Sequence, residues 1–451
     1  MYIKDIVNTN KKGKFKSIKL DSRDIEKGDI FIYLGQNNKY IEDAIKRKCR
    51  LIITDANYNN KRVIIINNLN SEIINIFNKY YNYPLKNTKL IGITGTDGKT
   101  TMASVLSDML NSSSIGTNGF KLNNKYYELN NTTPRIDILY KCFNEARNNK
   151  YIAMEVSSEA YLTNRIGELP FDIGILTDIT VDHLDKHKSM ENYIKCKMEL
   201  FKHSKISIIN HDSKYFDLVK KNSRNFLSYG FNKRSDLRIL SYKLYLDSSL
   251  IIFKYKNQKY KIKYKLVGKF NVYNIACSIL TLITLGFSIP EIKIRISNIK
   301  VVPGRMDLVY NEKYKIVIDY AHTESATKNI LKFYKKYGKI ITIVGCAGER
   351  YKAKRKEIGR LVLNNSKYVI FTSDDPRYEK VEDIIKEMIG KNKKKNYFII
   401  KDRELAIKKG ISLCKKNYIL LILGKGCDNY MLIEDKKIPF SDYKVVFDNI
   451  K

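Results

Sequence analysis

Short runs of consecutive apolar residues, separated by polar stretches rich in Asn and Lys, set the rhythm of this chain. In its first part they are Ile30-Phe31-Ile32-Tyr33-Leu34, Leu51-Ile52-Ile53 and Val63-Ile64-Ile65-Ile66. Each has the length of a strand, and together they predict a small α/β unit. After a linker at Tyr83-Pro84-Leu85-Lys86-Asn87, the run Lys89-Leu90-Ile91-Gly92-Ile93-Thr94 predicts a buried strand, and Thr100-Thr101-Met102-Ala103-Ser104-Val105-Leu106 a helix. Further apolar runs at 151–154, 173–176 and 206–209 are punctuated by helical patterns. Runs without polar alternation are how strands covered on both faces read, so a mostly parallel sheet is predicted. The pattern restarts after Pro303-Gly304-Arg305, at 316–318, 340–344, 368–371 and 419–423, and predicts a second doubly wound unit.

A chain of 451 residues exceeds one ordinary core. The expected organisation is α/β with three domains: residues 1–86, 87–305 and 306–451. No internal repeat and no long disordered tract is expected to interrupt it.

Composition changes this picture little. Lys plus Arg number 83 against 47 Asp plus Glu, a formal charge of +36, which invites a nucleic-acid reading. The lysines, however, are spread over the whole length beside abundant Asn, Ile and Tyr rather than gathered in one stripe, so no nucleic-acid partner is expected. The positive field suits an anionic substrate instead. The seven cysteines (Cys49, Cys142, Cys196, Cys277, Cys346, Cys414, Cys427) form no CxxC pair and no disulfide framework. The five histidines are too sparse for a His-cluster metal site, which leaves carboxylate and hydroxyl oxygens as magnesium ligands. No apolar stretch of about 20 residues occurs, and the first residues lack the layout of a signal peptide. A cytoplasmic protein without membrane contact is expected.

Chemistry enters at Gly95-Thr96-Asp97-Gly98-Lys99-Thr100, between the predicted strand and helix. There, backbone N–H groups and a helix N-terminus can cradle phosphates, a lysine can reach the outer ones, and a threonine hydroxyl can face magnesium. The spacing departs from the usual GxxxxGK[ST], because Ile93 stands five before Gly98 and the extra glycines are Gly92 and Gly95. Glu155 ends the next apolar run and would bring a carboxylate to the sheet edge where ligands collect. A salt-bridged surface glutamate reads equally well, and His183 on its own reads as a satisfied core histidine.

Taken in order, the segments resemble the Mur ligases, of the type that adds the third amino acid to UDP-N-acetylmuramoyl-L-alanyl-D-glutamate. The resemblance is carried by Gly92 to Thr101, Asn131-Thr132-Thr133-Pro134, Glu155-Val156-Ser157-Ser158, Asp182-His183-Leu184-Asp185, Gly268-Lys269-Phe270-Asn271-Val272-Tyr273-Asn274, Pro303-Gly304-Arg305-Met306 and Asp319-Tyr320-Ala321-His322-Thr323. It implies an N-terminal domain for the uridine nucleotide, a central ATPase and a C-terminal Rossmann-like domain for the incoming amino acid. Ser22, Thr132, Thr133, Ser158 and Arg165 are implied to contact the muramoyl-peptide. Gly95, Thr96, Asp97, Gly98, Lys99, Thr100, Thr101, Asn271, Asn274, Arg305, Asp319 and His322 are implied to hold ATP. Thr100, Glu155, His183 and Lys197 are implied around Mg2+, with Lys197 at the position of a carbamylated lysine. Lys99, Lys197 and His183 are the implied catalytic set.

The resemblance further implies attack of the substrate carboxylate on the γ-phosphate, an acyl phosphate, and amide formation with the incoming amine. Ser373-Asp374-Asp375-Pro376-Arg377 resembles the loop whose arginine clamps the distal carboxylate of meso-diaminopimelate, with Gly424 and Asp428 completing the amino-acid site. The substrates implied are therefore a UDP-muramoyl-dipeptide and a diamino acid, used by a monomer.

Several positions differ from the family's pattern. Cys427 and Asp428 replace His-Glu, Glu159 stands where a histidine is usual, Glu324 replaces a proline, and Gly345-Cys346-Ala347-Gly348-Glu349-Arg350 is a looser form of G-C-G-G-D-R. Gln36-Asn37-Asn38-Lys39 replaces an Asp-Gly-His stretch, and Asp97 stands where asparagine is commoner. A polyglutamate-type or otherwise divergent Mur-like amide ligase with another acceptor is the alternative reading, and a nucleic-acid-binding ATPase the one from a different class.

Overall fold

The computed structural model describes residues 1–450. The chain forms two compact units: Met1–Gly95, Met102–Thr177 and Ile194–Ser228 make the first, and Thr96–Thr101, Asp178–Tyr193 and Tyr229–Lys451 the second.

In the first unit, Ile18–Lys19, Ile30–Tyr33, Leu51–Thr54 and Val63–Ile65 pair in that order as a parallel four-stranded sheet, at the apolar runs that predict strands. The larger sheet is built on β1 (Lys89–Thr94), β2 (Ser113–Gly116), β3 (Tyr151–Glu155), β4 (Phe171–Leu176) and β5 (Ser204–Asn210). Their spatial order is β5-β4-β1-β3-β2, all parallel. Two antiparallel strands, Gly119–Leu122 and Lys125–Tyr127, extend it beyond β2. The helix Leu69–Tyr80 places Phe77 against Tyr140 of the helix Ile136–Glu145, with ring centroids 5.4 Å apart. The Tyr140 hydroxyl donates to the Ile74 carbonyl and to Asn78. The N-terminal segment thus shares one apolar core with the strands that follow it.

The second unit contains an antiparallel meander, Leu237–Leu244, Ser249–Tyr255 and Gln258–Tyr264, and the almost wholly buried helix Lys269–Thr284. Its main sheet is built on β6 (Lys315–Asp319), β7 (Lys339–Val344), β8 (Tyr368–Phe371) and β9 (Tyr418–Leu423). The order runs Asp307–Asn311, β6, β9, β7, β8, Tyr397–Ile399, with only the first pair antiparallel. Alternate side chains leave opposite faces of a strand. Ile316 and Ile318 accordingly join one core and Val317 the other, as Ile341 and Ile343 do opposite Ile340 and Val344. Both faces are buried, which is why these strands read as unbroken apolar runs. Among the described residues no helix is long and apolar enough to cross a membrane.

Candidate active site

The phosphate loop is framed by its own strand-to-helix turn. Gly95 and Gly98 take φ of 151° and 84°, and Gly98, immediately before the helix Lys99–Leu110, occupies a conformation that favours glycine. The Thr96 amide donates to the Asp178 carbonyl at 2.7 Å, and its hydroxyl lies 3.0 Å from Tyr193 Oη and accepts from the Thr180 amide at 3.0 Å. Lys99 Nζ donates to the Thr96 carbonyl at 2.9 Å. Arg305 donates to the Thr100 hydroxyl at 3.3 Å while its guanidinium lies 4.4 Å from the Tyr320 ring centroid, an arrangement that combines cation–π attraction with a directed hydrogen bond. Thr101 is buried.

Asp97 has a partner that sequence reading does not supply. Its Oδ2 accepts from Thr323 Oγ1 at 3.0 Å, and the same hydroxyl accepts from the Ala326 amide, capping the helix Glu324–Tyr334. Asp319, at the end of β6, accepts from the Met306 amide at 2.6 Å and the Ala321 amide at 2.7 Å. Burial pushes its carboxyl up to about 6, against the opposing pull of Arg305 and those two amides. Asp182 collects His183 and His322 at 3.7 Å each and Lys354 at 3.6 Å. Burial opposes its ionisation, but the nearby His322, Lys354 and His183 prevail and hold it far below the usual carboxylate range. His322 Nδ1 lies 2.9 Å from the Tyr320 carbonyl. Asn271 and Asn274 hold each other at 2.9 Å on the helix Lys269–Thr284, and Asn271 also donates to the Val267 carbonyl.

In the first unit, Glu155 ends β3 and is 1% exposed. Its Oε1 accepts from the Thr117 amide at 2.8 Å and its Oε2 from the Thr117 hydroxyl at 3.3 Å. A Cβ at Gly116 would lie 2.1 Å from Oε1, so that position admits no side chain while the carboxylate stays in place. The Thr117 hydroxyl is 3.1 Å from that of Thr132. Thr133 donates to the Glu155 carbonyl at 2.9 Å and accepts from the Ser157 amide, while Arg165 reaches the Thr133 carbonyl at 3.4 Å and Glu159 at 3.5 Å. The expected substrate residues Thr132, Thr133 and Arg165 therefore form one network with the expected metal ligand Glu155. Ser158 is buried at the start of a short helix. The buried Lys197, on the helix Met190–Lys202, donates to the Gly95 carbonyl at 2.7 Å. Ser22 is buried in the turn Ser22–Asp24; the preceding Asp21 is lowered to about 2, chiefly by its Arg23 hydrogen bond.

The loops expected to receive the amino acid also meet. Lys425 Nζ lies 2.7 Å from Asp375, 3.6 Å from Asp428 and 3.9 Å from Asp374. Burial alone would lower Lys425, but these carboxylates raise it, whereas burial raises Asp374 and pushes Asp428 up to about 6. Arg377 takes φ of 52°, held there as its amide donates to Leu432 and its carbonyl accepts from Glu434. The Pro376 carbonyl would lie 2.0 Å from a Cβ at Gly348, so the 345–350 loop packs tightly on this segment. At Gly424, with φ of 111°, an added Cβ would lie 2.5 Å from Asp374 Oδ2.

Sequence reasoning missed Thr117, Lys354 and Lys425 as site residues. Lys425 stands inside a quoted motif and was open to detection; Thr117 and Lys354 carry no spacing signal. Among the described residues, no group of three or more His, Cys, Asp and Glu side chains is gathered to hold a metal.

Two family models match the chain: the Mur ligase middle domain over residues 93–282, and the Mur ligase, glutamate ligase domain over residues 304–426. The UDP-N-acetylmuramoyl-L-alanyl-D-glutamate--2,6-diaminopimelate ligase of Clostridium tetani is 34% identical, with 98% of this chain and 96% of that protein covered. The enzyme of the same name from Fusobacterium nucleatum is 36% identical over 98% of this chain and 95% of its own. A solved structure of a UDP-N-acetylmuramoyl-L-alanyl-D-glutamate--2,6-diaminopimelate ligase superposes with a TM-score of 0.72 at 24% identity, covering 100% of this chain and 98% of the other. MurF ligase from Thermotoga maritima in complex with ADP gives 0.62 at 20% identity, covering 90% and 93%. These solved structures share the fold.

Proposed function

The chain belongs to the Mur ligase family, and from that premise we propose that its substrates are ATP, UDP-N-acetylmuramoyl-L-alanyl-D-glutamate and meso-diaminopimelate. It is an ATP-dependent ligase that forms an amide bond in peptidoglycan synthesis, adding the third amino acid of the stem peptide. The observation that carries this reading is the 34–36% identity, along 98% of this chain, with ligases named for 2,6-diaminopimelate. The retained Arg377 agrees with it.

In the proposed chemistry a carboxylate oxygen of the dipeptide attacks the γ-phosphorus and ADP leaves. The amine then attacks the acyl phosphate carbonyl, and phosphate leaves as the amide forms. Lys99 and the loop amides stabilise charge on the transferring group. Arg305, stacked on Tyr320 and bonded to Thr100, orients the loop. Thr132, Thr133, Ser158 and Arg165 align the dipeptide, and Ser22 the uridine. His183 and Asp182 form part of the phosphate surround, with Asn271, Asn274, Asp319 and His322 completing the nucleotide site.

By the family resemblance Mg2+ would be held by Thr100, Glu155 and His183, donors whose hydroxyl, carboxylate and imidazole chemistry suits the ion, and a carbamate on Lys197 would add further oxygen donors. Bound there, the ion would neutralise charge on the phosphates. A free ammonium at Lys197 would repel it, so carbamylation is the proposed state. Three domains with boundaries at 86 and 305, a monomer, and a cytoplasmic location complete the proposal. Positioning dominates catalysis of this kind and can supply roughly 7–11 kcal/mol of the barrier.

The test is phosphate release from ATP. UDP-muramoyl-dipeptide with diaminopimelate should stimulate it. A folate or polyglutamate acceptor stimulating in its place would favour the polyglutamate-type reading and contradict this one.

A further inference from the structure

The C-terminal helix Asp442–Asn449 begins beside two loops that the family reading assigns to the acceptor and beside the turn that carries Arg305. Arg403 and Asp442 are both fully buried as an ion pair. Arg403 donates through Nε and Nη2 to the two Asp442 oxygens, each at 2.7 Å, through Nη1 to the Ser373 carbonyl at 3.1 Å, and through Nη2 to the Leu423 carbonyl at 3.0 Å. Ser373 immediately precedes Asp374-Asp375-Pro376-Arg377, and Leu423 immediately precedes Gly424-Lys425. One planar guanidinium therefore ties the bases of both acceptor loops to one helix, a geometry that a lysine ammonium cannot reproduce.

The next residue acts on the other side. Tyr443 Oη accepts from the Gly304 amide at 2.6 Å and donates to Asp307 at 2.6 Å. Gly304 has φ of 67°, and a Cβ there would come within 2.5 Å of the Cys427 nitrogen, so the turn lies directly on the Gly424–Asp428 segment. Its successor is Arg305, which reaches Thr100.

We propose that the first turn of the C-terminal helix is a positioning element, in which Asp442, through Arg403, sets the acceptor loops and Tyr443 sets the turn that delivers Arg305 to the phosphate loop. Neither residue touches substrate; both act through others. A buried ion pair is weak evidence for stability, because desolvation offsets its attraction. Its four directed bonds to two loop bases and one helix give it a geometric task instead. The proposal rests on the assignment of those loops to the acceptor.

The experiment compares the full-length wild type with Arg403→Lys and Tyr443→Phe, measuring KM for ATP and for the amine, kcat, and melting temperature. Arg403→Lys should raise the amine KM about tenfold while leaving that of ATP within about twofold. Tyr443→Phe should raise the ATP KM more than the amine KM. Unchanged KM values in both variants, with only kcat or melting temperature reduced, would mean a structural role alone and overturn the proposal. So would equal shifts of both KM values. If Arg403→Lys yields no folded protein, Tyr443→Phe decides by the same criterion, since it removes one oxygen and keeps the ring. If the wild type turns over an amine other than diaminopimelate, the specificity reading fails, and the positioning proposal is read from the KM of that amine.

Discussion

At Asp97 a carboxylate stands in a loop built to cradle anions, held by Thr323. An amide oxygen can accept the same hydrogen bond without the charge. Two unit charges about 4 Å apart in a water-like dielectric repel by about 1 kcal/mol, so Asp97→Asn should lower the ATP KM by roughly fivefold. Equilibrium binding of ATP to the two forms checks this. Asp428 supplies a pH dependence. Its carboxyl is raised from 3.8 to about 6 by burial, so as pH falls through about 6 it takes up a proton and ceases to attract an ammonium. The amine KM should therefore rise below pH 6 and stay flat above pH 7, and Asp428→Asn should abolish the dependence. Asp319, raised to about 6 by its own burial, belongs to the nucleotide side and should appear in the ATP KM instead. For stability the sign runs the other way: both groups bind a proton more tightly folded than unfolded, so through them the fold gains stability as pH falls from about 6 toward 3.8.

Among the elements, the helix Met190–Lys202 brings Lys197 to the Gly95 carbonyl, placing the proposed carbamate beside the entry to the phosphate loop. Lys197→Ala should lose most activity and regain part of it with formate or acetate, which restore carboxylate oxygens; absence of rescue would count against the carbamate. The parallel strands were legible because burial on both faces leaves unbroken apolar runs such as Ile419-Leu420-Leu421-Ile422-Leu423. The meander at 237–264 is not legible as strands, although Lys259-Tyr260-Lys261-Ile262-Lys263-Tyr264 alternates cleanly, because Lys and Tyr are abundant throughout and the alternation sinks into that background. At the candidate site, strand and loop context made legible only the placement of Lys99 at a helix start and of Glu155 at a strand end. The grip of Arg403 on Asp442, 39 residues away, and that of Thr117 on Glu155 were not, since tertiary contacts of this kind leave no spacing in one sequence.

For the molecule as a whole, the charge of +36 acts as a field for anionic substrates. Screening weakens such attraction over about a Debye length, ~10 Å at 0.1 M salt. The KM of the polyanionic UDP-muramoyl-dipeptide should accordingly rise with ionic strength while that of the zwitterionic amine changes little, as a salt titration of initial rates would reveal. Nucleic acid should not stimulate ATP turnover. The central claim, that this ligase joins diaminopimelate to the muramoyl-dipeptide, is tested most directly by offering diaminopimelate, lysine, ornithine and lanthionine in parallel with ATP and the UDP-dipeptide, to the wild type and to Arg377→Ala. Diaminopimelate should be the preferred amine, and its KM should rise roughly 30-fold or more in the variant, the scale of losing one partner of a buried charged contact, with ATP use little changed. Preference for lysine or ornithine, or equal losses for ATP and diaminopimelate, would contradict it.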